Sequence, residues 1–152
     1  MRQKNALEYA LLLLGYRARS EKEMRERLIR KGYSGPETAK AMKSLSQMGC
    51  LNDRELALAL ARQARETKRL GRKGAAAYLF RMGIPGGFAE EALAEYDECE
   101  GAKNLVRKKL KTLGGLPEDV RRRRLYGALA RRGFSGQTIR KTIALHREEE
   151  EE

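Results

Sequence analysis

Apolar residues recur every three or four positions along most of this chain, and no stretch alternates polar and apolar side chains long enough to read as a strand. The spacing predicts nine helices in three groups. In the first group, helices over 5–15, 21–31 and 36–48 would bury Leu7, Leu11 and Leu14, then Met24, Leu28 and Ile29, then Ala39, Met42 and Leu45. Helices over 53–69, 72–82 and 88–96 follow, with inward faces of Leu56, Leu60 and Ala64, of Ala75, Leu79 and Phe80, and of Phe88, Ala92, Leu93 and Tyr96. The third group, 101–113, 118–132 and 138–147, would bury Leu105, Val106, Leu110 and Leu113, then Leu125 and Leu129, then Ile139 and Ile143.

The groups are copies of one another, with a period of about fifty residues. Four columns hold in all three: a Leu (28, 79, 129), an Arg (30, 81, 131), a Gly (32, 83, 133) and a second Gly (35, 86, 136), with an apolar residue after the first Gly each time. A helix–turn–helix explains the pattern. The Leu closes an apolar face, the first Gly ends the helix in the left-handed conformation, and the apolar residue after it packs back across the end. Ser20 with Glu23 and Ser34 with Glu37 have capping-box spacing, and Pro36 falls in a first turn, where its missing N–H costs nothing. The expected fold is therefore all-α: three tandem three-helix repeats (1–51, 52–97 and 98–147) in an elongated, curved array, since units this small must share interfaces to bury enough surface.

Charge adds direction to this picture. The net charge is +12, with +6 over 1–50, −1 over 51–100, +12 over 101–147 and −5 over 148–152. A polyanion is the natural partner for such a field, because neutralising phosphates releases counterions and draws the protein in at long range. The closing run of Glu is expected to be a disordered, solvated tail that tempers the attraction. The longest apolar run, 10–14, is far short of the roughly 20 residues of a membrane span, and no small-residue cleavage site follows the basic start, so a cytoplasmic protein without membrane contact is expected.

Catalytic chemistry has no evident carrier. Cys50 and Cys99 are isolated and read as reduced, partly buried thiols, so neither a metal site nor a redox centre is expected. Gly83, Gly86 and Gly87 lack the Lys-Ser/Thr of a phosphate loop and are explained as turn residues. His146, the only histidine, falls in the column of Leu45 and Tyr96 and reads as a core or rim residue. Tyr9, Tyr33, Tyr78 and Tyr96 lie in or beside apolar columns and read as packing residues. No enzyme and no cofactor is expected.

Basic faces are the candidate functional residues: Arg62, Arg65, Lys68, Arg69, Arg72 and Lys73 around the end of the fourth helix, Arg107, Lys108 and Lys111 on the seventh, and Arg121 and Arg122 opening the eighth. Arg62, Arg65 and Arg69 would share one face by their i, i+3, i+7 spacing, and at most two residues of the run 121–124 could meet one partner surface.

These residues also carry a family resemblance. The segment Ala6-Leu7-Glu8-Tyr9-Ala10-Leu11, the stretch from Ser20 to Leu28 followed by Lys31-Gly32-Tyr33, the segment from Leu45 through Gly49 and Leu51 to Asp53, and the basic helix from Arg62 to Gly71 resemble, in order and spacing, the RecX family. That family has aromatics in the helix after the Asp, where this chain has Leu56, Leu58 and Leu60. The resemblance implies a monomeric, non-enzymatic regulator that binds along the groove of the RecA nucleoprotein filament, hinders ATP hydrolysis, strand exchange and co-protease activity, and touches filament protein and single- or double-stranded DNA through its cations. Two other readings fit the residues: a RecA-independent DNA-binding protein using its helix–turn–helix-like units, and a helical-repeat adaptor. Against the first, the third helices offer few base-reading side chains, and those of the second copy, Glu90, Glu91 and Glu95, are acidic.

Overall fold

In a computed structural model, which describes residues 2–152, the chain is all-helical. Met1, which opens the first predicted repeat, lies outside the described residues. The helices are α1 (Ala6–Tyr16), α2 (Glu21–Lys31), α3 (Gly35–Gln47), α4 (Asp53–Glu66), α5 (Arg72–Arg81), α6 (Gly86–Leu93), α7 (Cys99–Leu113), α8 (Glu118–Arg131) and α9 (Gly136–Glu151).

The predicted turn recurs in each copy. Gly32, Gly83 and Gly133 have φ of +109°, +82° and +81°, the left-handed region that side chains with a Cβ resist. Behind each glycine, the N–H of Tyr33, Ile84 or Phe134 donates to the carbonyl of Leu28, Leu79 or Leu129 at 3.2, 3.1 and 3.2 Å, the long bond of a Schellman motif. The second glycine of each copy opens the following helix, so α3, α6 and α9 begin one or two residues earlier than predicted. Ser34 and Glu37 form the expected capping box, and Asn5 and Glu8 form another at α1. At α2 the box is half made. Ser20 accepts from the Glu23 N–H, but the Glu23 carboxylate turns to Arg17 and Arg19.

Compact packing divides the chain differently from the predicted repeats. One unit comprises residues 1–59 and 79–91, the other 60–78 and 92–152, with the divisions passing through α4, α5 and α6. In the first unit, α1, α2 and α3 enclose Ala6, Ala10, Leu13, Met24, Leu28, Ala41, Met42, Leu45 and Leu51. In the second, α7, α8 and α9 enclose Ala102, Leu105, Val106, Leu125, Leu129, Phe134 and Ile139.

Several predicted inward positions face out. Leu11, Ile29, Ala39, Phe80 and Phe88 are exposed. In α1 the buried line is Ala6, Ala10 and Leu13, because two alanines let α3 approach more closely than a row of leucines would. Cys99 is exposed rather than partly buried. The Glu tail is not disordered: 148–151 continue α9 as its last turn. Carboxylates are disfavoured at a helix C-terminus, but here they meet cations. Glu150 pairs with Arg121 of α8 at 3.4 Å, and Glu151 pairs with Arg147 one turn back at 3.3 Å. His146, half-buried at the rim, reaches Glu150 at 3.4 Å.

Within each unit, a turn glycine from one copy is pressed onto the start of the second helix of the copy before it. In the first unit, a Cβ on Gly83 would come within 2.5 Å of the Ser20 hydroxyl that caps α2. In the second, Gly133 lies against Gly74 at the start of α5, and the Gly71 N–H donates to the Arg132 carbonyl at 3.0 Å. A carboxylate completes each junction: Asp53 accepts from the Glu21 N–H at 3.0 Å, and Glu98 from the Arg72 N–H at 2.8 Å.

Candidate functional site

All of the candidate cations fall in the second unit, which carries 20 Lys and Arg against 12 Asp and Glu, a net of +8. Arg62, Arg65, Lys68, Arg72, Lys73, Arg107, Lys108, Lys111 and Arg122 are exposed, while Arg69 and Arg121 are half-buried.

Arg62, Arg65 and Arg69 do not form one helical stripe. α4 stops at Glu66, and Arg69 itself takes the left-handed conformation, with φ +51°, as the chain turns toward α5. The Leu70 N–H closes this turn onto the Ala64 carbonyl at 2.9 Å. Only Arg62 and Arg65 share the last turns of α4, and Arg65 lies 3.4 Å from neighbouring Glu66. Lys68 places its ammonium 4.8 Å from the centre of the Tyr78 ring, and its carbonyl accepts from the Arg132 guanidinium at 2.7 Å.

Arg72 and Lys73 open α5, where the helix dipole disfavours cations. Glu98 offsets this. Its carboxylate accepts from the Arg72 N–H at 2.8 Å and from the Ser135 N–H and hydroxyl at 3.0 and 2.8 Å. Burial alone would raise the Glu98 pKa, but hydrogen bonds involving Thr138, Arg72 and Ser135 outweigh it and hold the carboxyl below the usual range. Tyr96 donates to the Leu70 carbonyl at 2.7 Å, and burial first of all pushes its phenol up to about 12. Tyr78, also buried, donates to Gln63 at 2.8 Å. Both tyrosines thus brace the segment that carries the basic residues.

On α7, Lys111 lies one turn beyond both Arg107 and Lys108, close enough for the like charges to repel. Arg107 donates to Asn104 at 3.2 Å. Arg121 and Arg122 line a groove of about 940 Å³ along α8 and α9, floored by Val106, Leu110, Leu125 and Ile143. Three of the four consecutive arginines, 121–123, reach this groove, one more than helix geometry alone suggested, because long side chains bend toward it. Arg140 and Arg147 line it too, and neither was singled out in the sequence, where each stands outside a basic cluster. The acidic end of α9 occupies the same wall, so Arg121 is already paired.

The arrangement can attract, position and neutralise a polyanion. Among the described residues there is no group of His, Cys, Asp and Glu side chains able to hold a metal ion, and no helix is long and apolar enough to cross a membrane.

Comparison with known proteins gives this surface a context. Residues 6–45 match the family RecX, first three-helix domain, and residues 95–143 match RecX, third three-helix domain. The chain belongs to the RecX family. The protein named Regulatory protein RecX from Chlorobaculum tepidum is 34% identical over 144 residues, spanning 95% of this chain and 89% of its own. Its namesake from Amycolatopsis mediterranei is 37% identical over 136 residues, 88% of this chain and 78% of that one. The crystal structure of RecX from Lactobacillus salivarius superposes with a TM-score of 0.79 at 23% identity, over 91% of this chain and 92% of that one. Its likeness establishes the fold shared with RecX proteins.

Proposed function

We propose that this protein is a cytoplasmic, monomeric negative regulator of RecA that binds the RecA nucleoprotein filament and inhibits its ATPase, recombinase and co-protease activities. Three repeats, 1–51, 52–97 and 98–147, would each present helices to successive parts of the filament. The observation that carries this reading is the match to regulatory RecX proteins along nearly the whole chain. The cations of the second unit support it physically, since a filament of protein on DNA offers the phosphates and acidic surface that exposed Arg and Lys side chains, most of them without an ion pair among the described residues, would neutralise. Contact is assigned to Arg62, Arg65, Lys68, Arg72, Lys73, Arg107, Lys108, Lys111 and Arg122, with Arg69 and Arg121 at their margins.

RecA-catalysed ATP hydrolysis on single-stranded DNA, titrated with this protein, tests the reading. Inhibition below stoichiometric amounts is expected, weakened by Arg62→Ala with Arg65→Ala, two exposed positions whose loss leaves the core intact. If ATP hydrolysis is untouched at stoichiometric excess while bare DNA is still bound in a salt-dependent way, the protein is instead a RecA-independent DNA binder.

A further inference from the structure

Large apolar side chains leave water where they can, yet Phe80 keeps 74% of its surface exposed. Helix geometry explains the direction. The equivalent positions in the other copies, Ile29 and Ala130, are also exposed. It does not explain why this copy carries an aromatic ring there.

The surroundings of the ring are specific. Phe80 borders a cleft of about 250 Å³ along α2 and the end of α5, wholly within the first unit and walled by Lys22, Arg27, Arg30 and Arg81. Lys22 Nζ stands 5.9 Å from the ring centre. Of the two carboxylates on the cleft, Glu23 is engaged by Arg17 and Arg19, while Glu26 forms no ion pair among the described residues. None of the four cations forms an ion pair among the described residues either. Four cations therefore share one small cleft with a single free carboxylate and an exposed aromatic face.

We propose that this cleft is a binding site for single-stranded nucleic acid, in which Phe80 stacks on a base while Arg27, Arg30 and Arg81 hold flanking phosphates. The exposed ring and the crowded cations are both unfavourable in the free protein, and a ligand that relieves both needs flat aromatic surface alternating with negative charge. Duplex DNA keeps its base faces stacked inside the helix, out of reach of Phe80. An acidic polypeptide relieves the charge but leaves the ring uncovered. The proposal rests on residues of the first unit alone and does not depend on the assignment of the second unit's basic faces to a filament.

The chain contains no tryptophan, so Phe80→Trp introduces a single tryptophan at the proposed stacking position, whose emission can be excited apart from that of the tyrosines. Titration of this variant with oligothymidylate is expected to quench its fluorescence saturably, with affinity equal to or above that of the native protein. Phe80→Leu keeps an apolar side chain but removes the flat ring, and should lower affinity about tenfold with unchanged circular dichroism. Replacing Arg27, Arg30 and Arg81 by Gln should reduce the slope of log affinity against log salt by about 2, at roughly 0.7 per phosphate contact on a single strand. Absence of quenching, or native affinity in Phe80→Leu, would overturn the proposal while leaving the filament reading intact. So would equal quenching by a duplex, or by poly-glutamate, the latter reassigning the cleft to an acidic polypeptide.

Discussion

Gly74→Ala should destabilise the protein even though it replaces glycine by the best helix former inside a helix. Gly74 lies in the first turn of α5, and a Cβ there falls inside contact distance of the Arg132 carbonyl oxygen, with the Arg132 carbonyl carbon only 3.0 Å away. Backbone cannot rotate aside as a flexible side chain can. Overpacking of this kind costs about 1–3 kcal/mol. Moving the end of α8 away also stretches the bond from the Gly71 N–H to Arg132, about 1 kcal/mol more. Helix propensity returns at most about 1 kcal/mol. The net expectation is a loss of about 1–3 kcal/mol, and with a urea slope of about 2 kcal/mol/M a loss of about 2 kcal/mol moves the midpoint down by about 1 M. Gly15→Ala in α1 is the matched control. Nothing lies within 4 Å of its added Cβ, so the same substitution should raise stability by about 0.5–1 kcal/mol. Equilibrium urea unfolding followed by far-UV circular dichroism reads both. A Gly74→Ala midpoint equal to or above that of the native protein would refute the claim that the two backbones are in enforced contact.

Two further outcomes follow from the ion pairs and caps. Glu98→Gln removes the charge that caps α5 and should cost about 1 kcal/mol, less than a fully buried charged acceptor would because Glu98 is only half-buried and solvent screens it. The folded carboxyl titrates below its unfolded value of about 4.3, so its stabilisation is complete above that pH and lost as pH falls through the folded pKa. The gap in urea midpoint between Glu98→Gln and the native protein should therefore narrow as pH falls from neutral toward the acid range, and an unchanged gap would refute the assignment. Deleting 148–152 removes five carboxylates, including Glu150 from Arg121. Affinity for a labelled oligonucleotide, read by fluorescence anisotropy, should then rise about fivefold at low salt, for released exposed ion pairs worth about 1 kcal/mol in total. The difference should vanish at high salt, and no change at low salt would mean that the helical tail does not compete for the basic wall.

Local signals were legible in the sequence and long-range ones were not. The helices and their turns follow from 3.6-residue periodicity and from glycines whose left-handed conformation is a property of a few consecutive residues, so Gly32, Gly83 and Gly133 are found where the repeat placed them. Inward faces were harder to read where apolar residues are continuous. Through 10–14 every direction around the helix looks apolar, and packing against α3 selects Ala10 and Leu13 while leaving Leu11 exposed. Arg69 was assigned to α4 because nothing before Gly71 looked like a stop, yet the turn uses Arg69 itself in a conformation usually given to glycine. The Glu run reads as a solvated tail because its partners cannot be seen nearby: Arg121 is 29 residues from Glu150.

The least legible feature also explains why compact packing divides the middle copy. Gly83 belongs to the second copy and is held against Ser20 of the first, while Asp53, which opens the second copy, caps α2. Gly133 of the third copy is held against Gly74 of the second, and Glu98, which opens α7, caps α5. Each junction thus joins the turn of one copy and an acid from its start to the second-helix N-terminus of the copy before. An N-terminus has four N–H groups without helical partners; the acid of each junction takes one of them, and at the second junction the Arg132 carbonyl of the turn also accepts from the Gly71 N–H. The second copy supplies a turn and an acid to one junction and a helix start to the other. Its residues are therefore shared between two compact units, and a division that kept it whole would have to cut one of these junctions.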